Sequence, residues 1–300
     1  MKLELKNIEK SFSAKKILKD VSFEVVSGRA MGFLGQNGAG KTTTIRALMD
    51  VFKPDCGQFL YGGNILDHKK IKIGYLPEER GMYQKVTAID QLTYFGELKG
   101  MNSKEAKESG LNWLNRMNLG SFANKNIEIL SKGNQQKVQI IQAVINDPDI
   151  LVLDEPFSGL DPVNSMMLKE IIKEFIDKDR IVIFSSHQMS YVENICDDVT
   201  FIKNGEIVTS RNLDELKSEM GRNKYLFDSV NRETLNKELQ NNPKIEEVVE
   251  SKLGFIVKVD DSVDPNQVLS SLIENKINIT KFEFYKPTLE EIFIEINKEA

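Results

Sequence analysis

The residues Gly35-Gln36-Asn37-Gly38-Ala39-Gly40-Lys41-Thr42 spell G-x-x-x-x-G-K-[ST], set between the apolar run Ala30–Leu34 and a helical stretch, Thr43–Val51. Glycines at this spacing let the backbone curl until successive N–H groups point inward, and the helix N-terminus behind them favours anionic phosphate. Lys41 can reach the β- and γ-phosphates of a nucleotide, and the Thr42 hydroxyl can ligate Mg²⁺. A glycine turn before a helix is the plainer account of such a run. The strand, the spacing, the lysine and the threonine together favour a phosphate cradle extending through Thr43.

A second set closes an apolar strand. In Ile150-Leu151-Val152-Leu153-Asp154-Glu155 two carboxylates stand at the C-terminal end of a buried run, where ligands of α/β sheets sit. Strand alternation aims the two side chains differently. Asp154 suits Mg²⁺, and Glu155 suits a base that orients and deprotonates a water for attack on a γ-phosphate. Alone, such a pair is equally the solvated start of a loop; beside a phosphate loop it reads as chemistry.

Elements able to hold these residues recur through residues 1–221, where short β-branched runs alternate with helical patterns, predicting an α/β domain with a largely parallel sheet. The expected strands are Leu3–Ile8, Val21–Val26, Ala30–Leu34, Ile73–Leu76, Ile150–Asp154, Ile181–Ser185 and Val199–Lys203, the last turning at Asn204-Gly205 into Glu206–Ser210. From about residue 84 to residue 145 helical spacings dominate, through Leu92, Phe95, Leu98, Leu111, Trp113, Leu114 and Met117, which predicts a helical insertion. Residues 222–300 read strand, helix, strand, strand, helix, strand and a final helix, the order of an α+β ferredoxin-like domain.

The 300 residues are 40% hydrophobic and 28% charged, which excludes a disordered chain, and the net charge of −5 excludes a global basic attraction to nucleic acid. Apolar runs such as Ile181–Phe184 fall far short of the roughly 20 residues needed to cross a bilayer. The start, Met1–Lys6, alternates apolar and charged residues without the core of a signal peptide, so a cytosolic protein is expected. Cys56 and Cys196 form no C-x-x-C pattern and read as reduced thiols, and His68, in a charged stretch, reads as solvated.

Between the two sites, Leu130-Ser131-Lys132-Gly133-Asn134-Gln135-Gln136-Lys137 precedes a helix through Ile140, Ile141 and Val144. By itself Ser131 reads as a helix N-cap before it reads as a ligand. Taken with the phosphate loop, the acidic strand end, Phe12, Ser158-Gly159-Leu160-Asp161 and Ser185-Ser186-His187, the chain resembles the ATP-binding cassette (ABC) family from Met1 to about Gly221. The family's Leu-Ser-Gly-Gly-Gln signature stands here with Lys132 in third place and Asn134 in fifth; Ser131 and Gly133 match.

The resemblance implies a P-loop NTPase fold and an ATPase in which two cassettes pack head to tail around two ATP molecules, each held by one chain's phosphate loop and the other's Ser131, Gly133 and Asn134. It implies that Phe12 stacks on adenine, although an aromatic there is also ordinary packing, and that His187 contacts the γ-phosphate with Lys41 and Glu155. Glu78 stands where the family has glutamine, and is expected to ligate Mg²⁺ or water with Thr42 and Asp154. The extra negative charge is expected to perturb the carboxylates Asp154 and Glu155 or to tighten the dependence on metal, unless Glu78 is simply a solvated turn. Lys132 adds a cation near the partner's phosphates or points to solvent.

The implied role is the ATP-hydrolysing subunit of a transporter, a homodimer peripheral to the cytoplasmic face of the membrane and acting on a separate permease. The tail that includes Pro287-Thr288-Leu289-Glu290-Glu291-Ile292-Phe293 resembles that of bacterial exporters grouped with sodium-extruding and drug-resistance ATPases. The alternative is a soluble ABC ATPase acting on nucleic acid or ribosomes, for which tandem cassettes, coiled-coil arms and a basic surface are lacking. Nucleic acid is not expected as a partner.

Overall fold

The computed structural model describes residues 1–13, 15–79 and 81–298. The chain divides into two compact units, Met1–Leu213 and Asp214–Ala300.

The first unit opens with the strands β1 (Lys2–Phe12), β2 (Lys15–Val26) and β3 (Arg29–Leu34), the helix α1 (Lys41–Leu48), and the strands β4 (Cys56–Tyr61), β5 (Asn64–Ile65) and β6 (Ile73–Leu76). Three helices follow, α2 (Ala88–Leu98), α3 (Ser103–Arg116) and α4 (Lys132–Val144). Then come β7 (Ile150–Asp154), α5 (Pro162–Asp177), β8 (Ile181–Ser185), α6 (Met189–Ile195), β9 (Asp198–Lys203) and β10 (Glu206–Asn212).

One sheet has the order β10-β9-β3-β8-β7-β6 and is parallel apart from β10, which pairs antiparallel with β9. Its central strands are apolar throughout because both faces are covered: every residue of β7 and β8 is buried. Each such Ile, Val, Leu or Phe contributes on the order of 1.5–3 kcal/mol through removal from water.

A second sheet, β2-β1-β4-β5, is antiparallel and lies outside the expectation of a largely parallel domain; β4 and β5 were not anticipated at all. The reason is legible in β4, where Cys56, Gly57 and Gln58 are exposed and only Phe59 and Leu60 are buried, so no alternation marks the strand. Leu3, Leu5, Ile8, Val21 and Val25 of this sheet pack with Ile45 and Leu48 of α1 and with Met31, Val152 and Ile183 of the parallel sheet in one core. Phe23 stacks on Phe33 at 5.2 Å between ring centroids within it.

The helical insertion is capped turn by turn. The side chains of Thr87, Asn102 and Ser131 accept from the backbone N–H groups of Asp90, Glu105 and Asn134 at the starts of α2, α3 and α4. Two lysines tie the helices together by donating to terminal carbonyls, Lys137 Nζ to Met117 O at 3.1 Å and Lys99 Nζ to Gln142 O and Ala143 O at 2.6 and 3.0 Å.

The second unit holds α7 (Leu213–Met220) after its first residue, then β11 (Lys224–Ser229), α8 (Arg232–Gln240), β12 (Ile245–Ser251), β13 (Gly254–Val259), α9 (Pro265–Glu274), β14 (Ile279–Phe284) and α10 (Leu289–Lys298). Its antiparallel sheet runs β12-β13-β11-β14, the ferredoxin-like arrangement. Leu235 and Leu239 of α8 and Val268 and Leu272 of α9 cover one face, against Phe227, Phe255 and Val257. No helix among the described residues is long and apolar enough to cross a membrane.

Candidate functional site

The phosphate loop leaves the end of β3 and enters α1 through Gly40, whose φ of 116° belongs to the left-handed region open to glycine. The loop rests on the β9–β10 turn. The N–H of Gly205 donates to Ala39 O at 2.9 Å, and the Gly205 carbonyl accepts from Lys19 N at 2.8 Å. A Cβ on Gly205 would collide with the Ile17 carbonyl, so only glycine lets the turn pass between the loop and β2. Lys41 Nζ donates to Gly35 O and Gln36 O at 2.6 and 3.2 Å, across the mouth of the cradle. Burial lowers the Lys41 ammonium below its usual range, and the nearby carboxylates of Glu155, Asp154 and Glu78 partly restore it.

A cleft of about 550 Å³ opens over this loop. Asn37, Gly38, Gly40, Lys41, Thr42 and Thr43 form one wall, and Glu78, Asp154, Glu155 and His187 the other. Gly35, Gln36 and Ala39 are not part of the lining, and the first two supply the carbonyls that hold Lys41. The structure thus gathers residues from four separate stretches of sequence around one space.

The two carboxylates are fixed by the strand next to theirs. Asp154, 2% exposed, accepts a short hydrogen bond on Oδ1 from the hydroxyl of Ser185, its register partner on β8. Its Oδ2 is buried with no partner among the described residues. Glu155 leaves β7 with a φ of 50°, a left-handed backbone that costs a non-glycine residue on the order of 1–3 kcal/mol and is characteristic of functional turns. Glu155 Oε1 accepts from His187 N at 2.8 Å, and Oε2 accepts from Ser186 Oγ at 3.3 Å and lies 2.9 Å from His187 Nδ1. The imidazole itself is largely exposed at the rim.

A hydroxyl at Thr42, a carboxylate oxygen without a partner at Asp154 and a further carboxylate at Glu78 are hard oxygen donors, which suits a magnesium ion that completes its shell with phosphate oxygens and water.

Phe12, Ser131, Gly133 and Asn134 do not line this cleft. Phe12 is half exposed and meets Phe52 edge to face at 5.3 Å, with Lys10 Nζ 5.6 Å from its ring. Ser131 is exposed and caps α4, and Gly133 faces the Gly159 carbonyl of the segment after β7. His68 is exposed, as its sequence context implies, although a ring nitrogen lies 2.7 Å from Leu48 O at the end of α1. Sequence reasoning did not find Ser185 and Ser186, which are read there only as flanks of His187; nothing local marks them, because their partners lie a strand away.

Comparison with known proteins adds relatives of matching extent. The profile of a family described as "ABC transporter" matches residues 18–158, and that of "ATP-binding protein DrrA1-3-like, C-terminal domain" matches residues 212–296. The chain is 37% identical to the uncharacterized ABC transporter ATP-binding protein YhaQ of Bacillus subtilis, across 98% of this chain and 97% of that protein. It is 29% identical to the linearmycin resistance ATP-binding protein LnrL of the same organism, across 98% and 97%. A solved dimeric bacterial ABC transporter cassette aligns with a TM-score of 0.63 and 25% identity, over 70% of this chain and 98% of the cassette.

Proposed function

The chain belongs to the ABC transporter ATP-binding family, and from that premise we propose how its residues perform and couple ATP hydrolysis. It is an ATP-binding, ATP-hydrolysing subunit of an ABC transporter. The observation that carries the proposal is the pairing across one cleft of a phosphate cradle ending in Lys41 with the carboxylates of Asp154 and Glu155.

In this reading the loop N–H groups from Asn37 to Thr43 receive the β- and γ-phosphates. Lys41 then exchanges its carbonyl partners for phosphate oxygens and regains the charge that burial disfavours. Thr42, Asp154 and Glu78 would hold Mg²⁺, which when bound would neutralise phosphate charge. Glu155, its carboxylate aimed by Ser186 and His187, takes a proton from the water that attacks the γ-phosphorus as the β–γ bridge opens, releasing ADP and phosphate. His187 remains at the rim to contact the γ-phosphate.

The signature residues stand at a helix start, Ser131 exposed and Gly133 and Asn134 half-buried, and none of them lines its own chain's cleft. We read them as the phosphate donors of a second copy packed head to tail, with Phe12 stacking on adenine. The dimeric arrangement of the related cassette supports this. Closure of such a dimer around ATP converts differential affinity for the closed state into movement. That movement passes through the helical insertion and the Glu78 loop to a separate membrane permease on the cytoplasmic face. An exposed aromatic group beside that loop, Tyr83 and Tyr94 with Phe95, supplies an apolar surface for it. The name of the linearmycin resistance relative favours export as the direction.

Affinity capture of the tagged chain from detergent-solubilised membranes of its own cells tests this. A multi-span membrane protein in stoichiometric amount is the expected companion. Recovery with a nucleic-acid complex and no membrane protein overturns the reading.

A further inference from the structure

We propose that Gln139 is a positioning residue that clasps the Glu78 loop to α4, so that the state of a chain's own cleft reaches the signature surface it offers to the partner. The inference rests on the reading of Glu78 as a metal or water ligand given above.

Gln139 is 3% exposed and lies two turns along α4 from Ser131. Its Nε2 donates to Pro77 O at 3.4 Å and to Glu79 O at 3.1 Å, the carbonyls on either side of Glu78. One amide therefore fixes the backbone both before and after the residue whose side chain lines the cleft. Its Oε1 is buried with no partner among the described residues. The neighbouring positions Val138, Ile140 and Ile141 are apolar and buried. A buried amide with one unsatisfied oxygen is unfavourable among such residues, so the two donated bonds are what distinguish this side chain from an aliphatic one.

The strand leading to Glu78 is seated on the same helix, since a Cβ on Gly74 would collide with the Ala143 carbonyl. On its other side α4 reaches the second carboxylate loop, through Gln136 Nε2 and the carbonyl of Pro156, the residue after Glu155, at 3.5 Å. A single stiff helix is thus bonded to the backbone flanking Glu78 and to the backbone following Glu155, and Ser131 is its N-cap. A shift of the Glu78 loop when nucleotide and metal enter is transmitted to Ser131 through Gln139 with no flexible link between.

The test uses the full chain with Gln139→Met, which keeps volume and removes the donor, and Gln139→Glu, which keeps shape and replaces the donor with an acceptor. For Gln139→Met we expect ATP binding within about twofold of the unmutated protein and kcat about tenfold lower with KM little changed, the pattern of a misplaced catalytic group. The amides of Glu78 and Glu79 should exchange faster with solvent. The deficit of Gln139→Glu should shrink, relative to the unmutated protein, as falling pH protonates the new carboxyl and restores a donor. If Gln139→Met does not fold, the Gln139→Glu pH profile decides.

The double variant Glu78→Ala/Gln139→Met should be no slower than Glu78→Ala alone. An unchanged kcat in Gln139→Met, or a Gln139→Glu deficit independent of pH, overturns the proposal. So does a double variant slowed by the product of the two single effects, because Gln139 then acts elsewhere. If Glu78→Ala hydrolyses ATP at the unmutated rate, the reading of Glu78 falls first and this inference with it.

Discussion

The carboxylate of Glu155 accepts a hydrogen bond from the backbone N–H of His187 at 2.8 Å, so the residue after β7 that is read as the base is aimed by the segment that follows the neighbouring strand. The side chain is held from one direction by the end of β8 and from the other by its own left-handed backbone.

Glu155→Gln keeps the shape of this contact and removes the proton acceptor. Turnover should fall by about 10²–10⁴ while ATP binding survives and ATP-loaded dimers accumulate. Steady-state phosphate release and size-exclusion chromatography with ATP check both halves; hydrolysis at the unmutated rate would remove Glu155 from its role.

Ser185→Ala deletes the hydroxyl that donates to Asp154 Oδ1 without touching Oδ2, the oxygen proposed above for the metal. The Mg²⁺ concentration for half-maximal hydrolysis should rise by about tenfold, the usual penalty for losing the orienting partner of a ligand. A magnesium titration at saturating ATP reads it directly.

Ser131 can be separated into its two duties. Ser131→Ala should cost about 1 kcal/mol of stability as a lost N-cap, whereas Ser131→Asp keeps a cap and places a carboxylate where a partner's γ-phosphate is expected. Ser131→Asp should therefore melt near the unmutated temperature yet fail to dimerise with ATP. Thermal unfolding beside size-exclusion chromatography distinguishes these outcomes.

Burial pushes the Lys99 ammonium down to about 8 from a model-compound value of 10.5. Between those values the unfolded chain binds more protons at this group than the folded one, so its contribution makes the fold more stable as pH rises across that window. Lys99→Met should flatten this part of the stability profile, as measured by urea midpoints from below pH 8 upward. An unchanged slope would show that Lys99 keeps its proton when folded.

Much of the cleft is legible in sequence because its pieces are short and contiguous. Gly35–Thr42 and Asp154-Glu155 each announce a strand end and a chemistry within a few residues, and His187 follows a strand in the same way. What is not legible depends on neighbours brought in by the fold. Ser185 is an ordinary strand residue until register sets it opposite Asp154, and Gln139 is one polar residue on a helix until the segment after β6 meets it. The antiparallel sheet escaped for a related reason: Cys56–Tyr61 has too little buried on either face to show a period. The backbone of Glu155 carries no signal at all, since glutamate is a residue that normally avoids that conformation.

The turn at Asn204-Gly205, which carries the phosphate loop on one side and β2 on the other, has a thermodynamic consequence. A loop already seated on its turn gives up its conformational entropy when the protein folds, not when nucleotide arrives. The calorimetric signature of ATP binding to one chain should then report the meeting of charges in the cradle, and the larger entropic and heat-capacity changes should belong to the proposed association of chains.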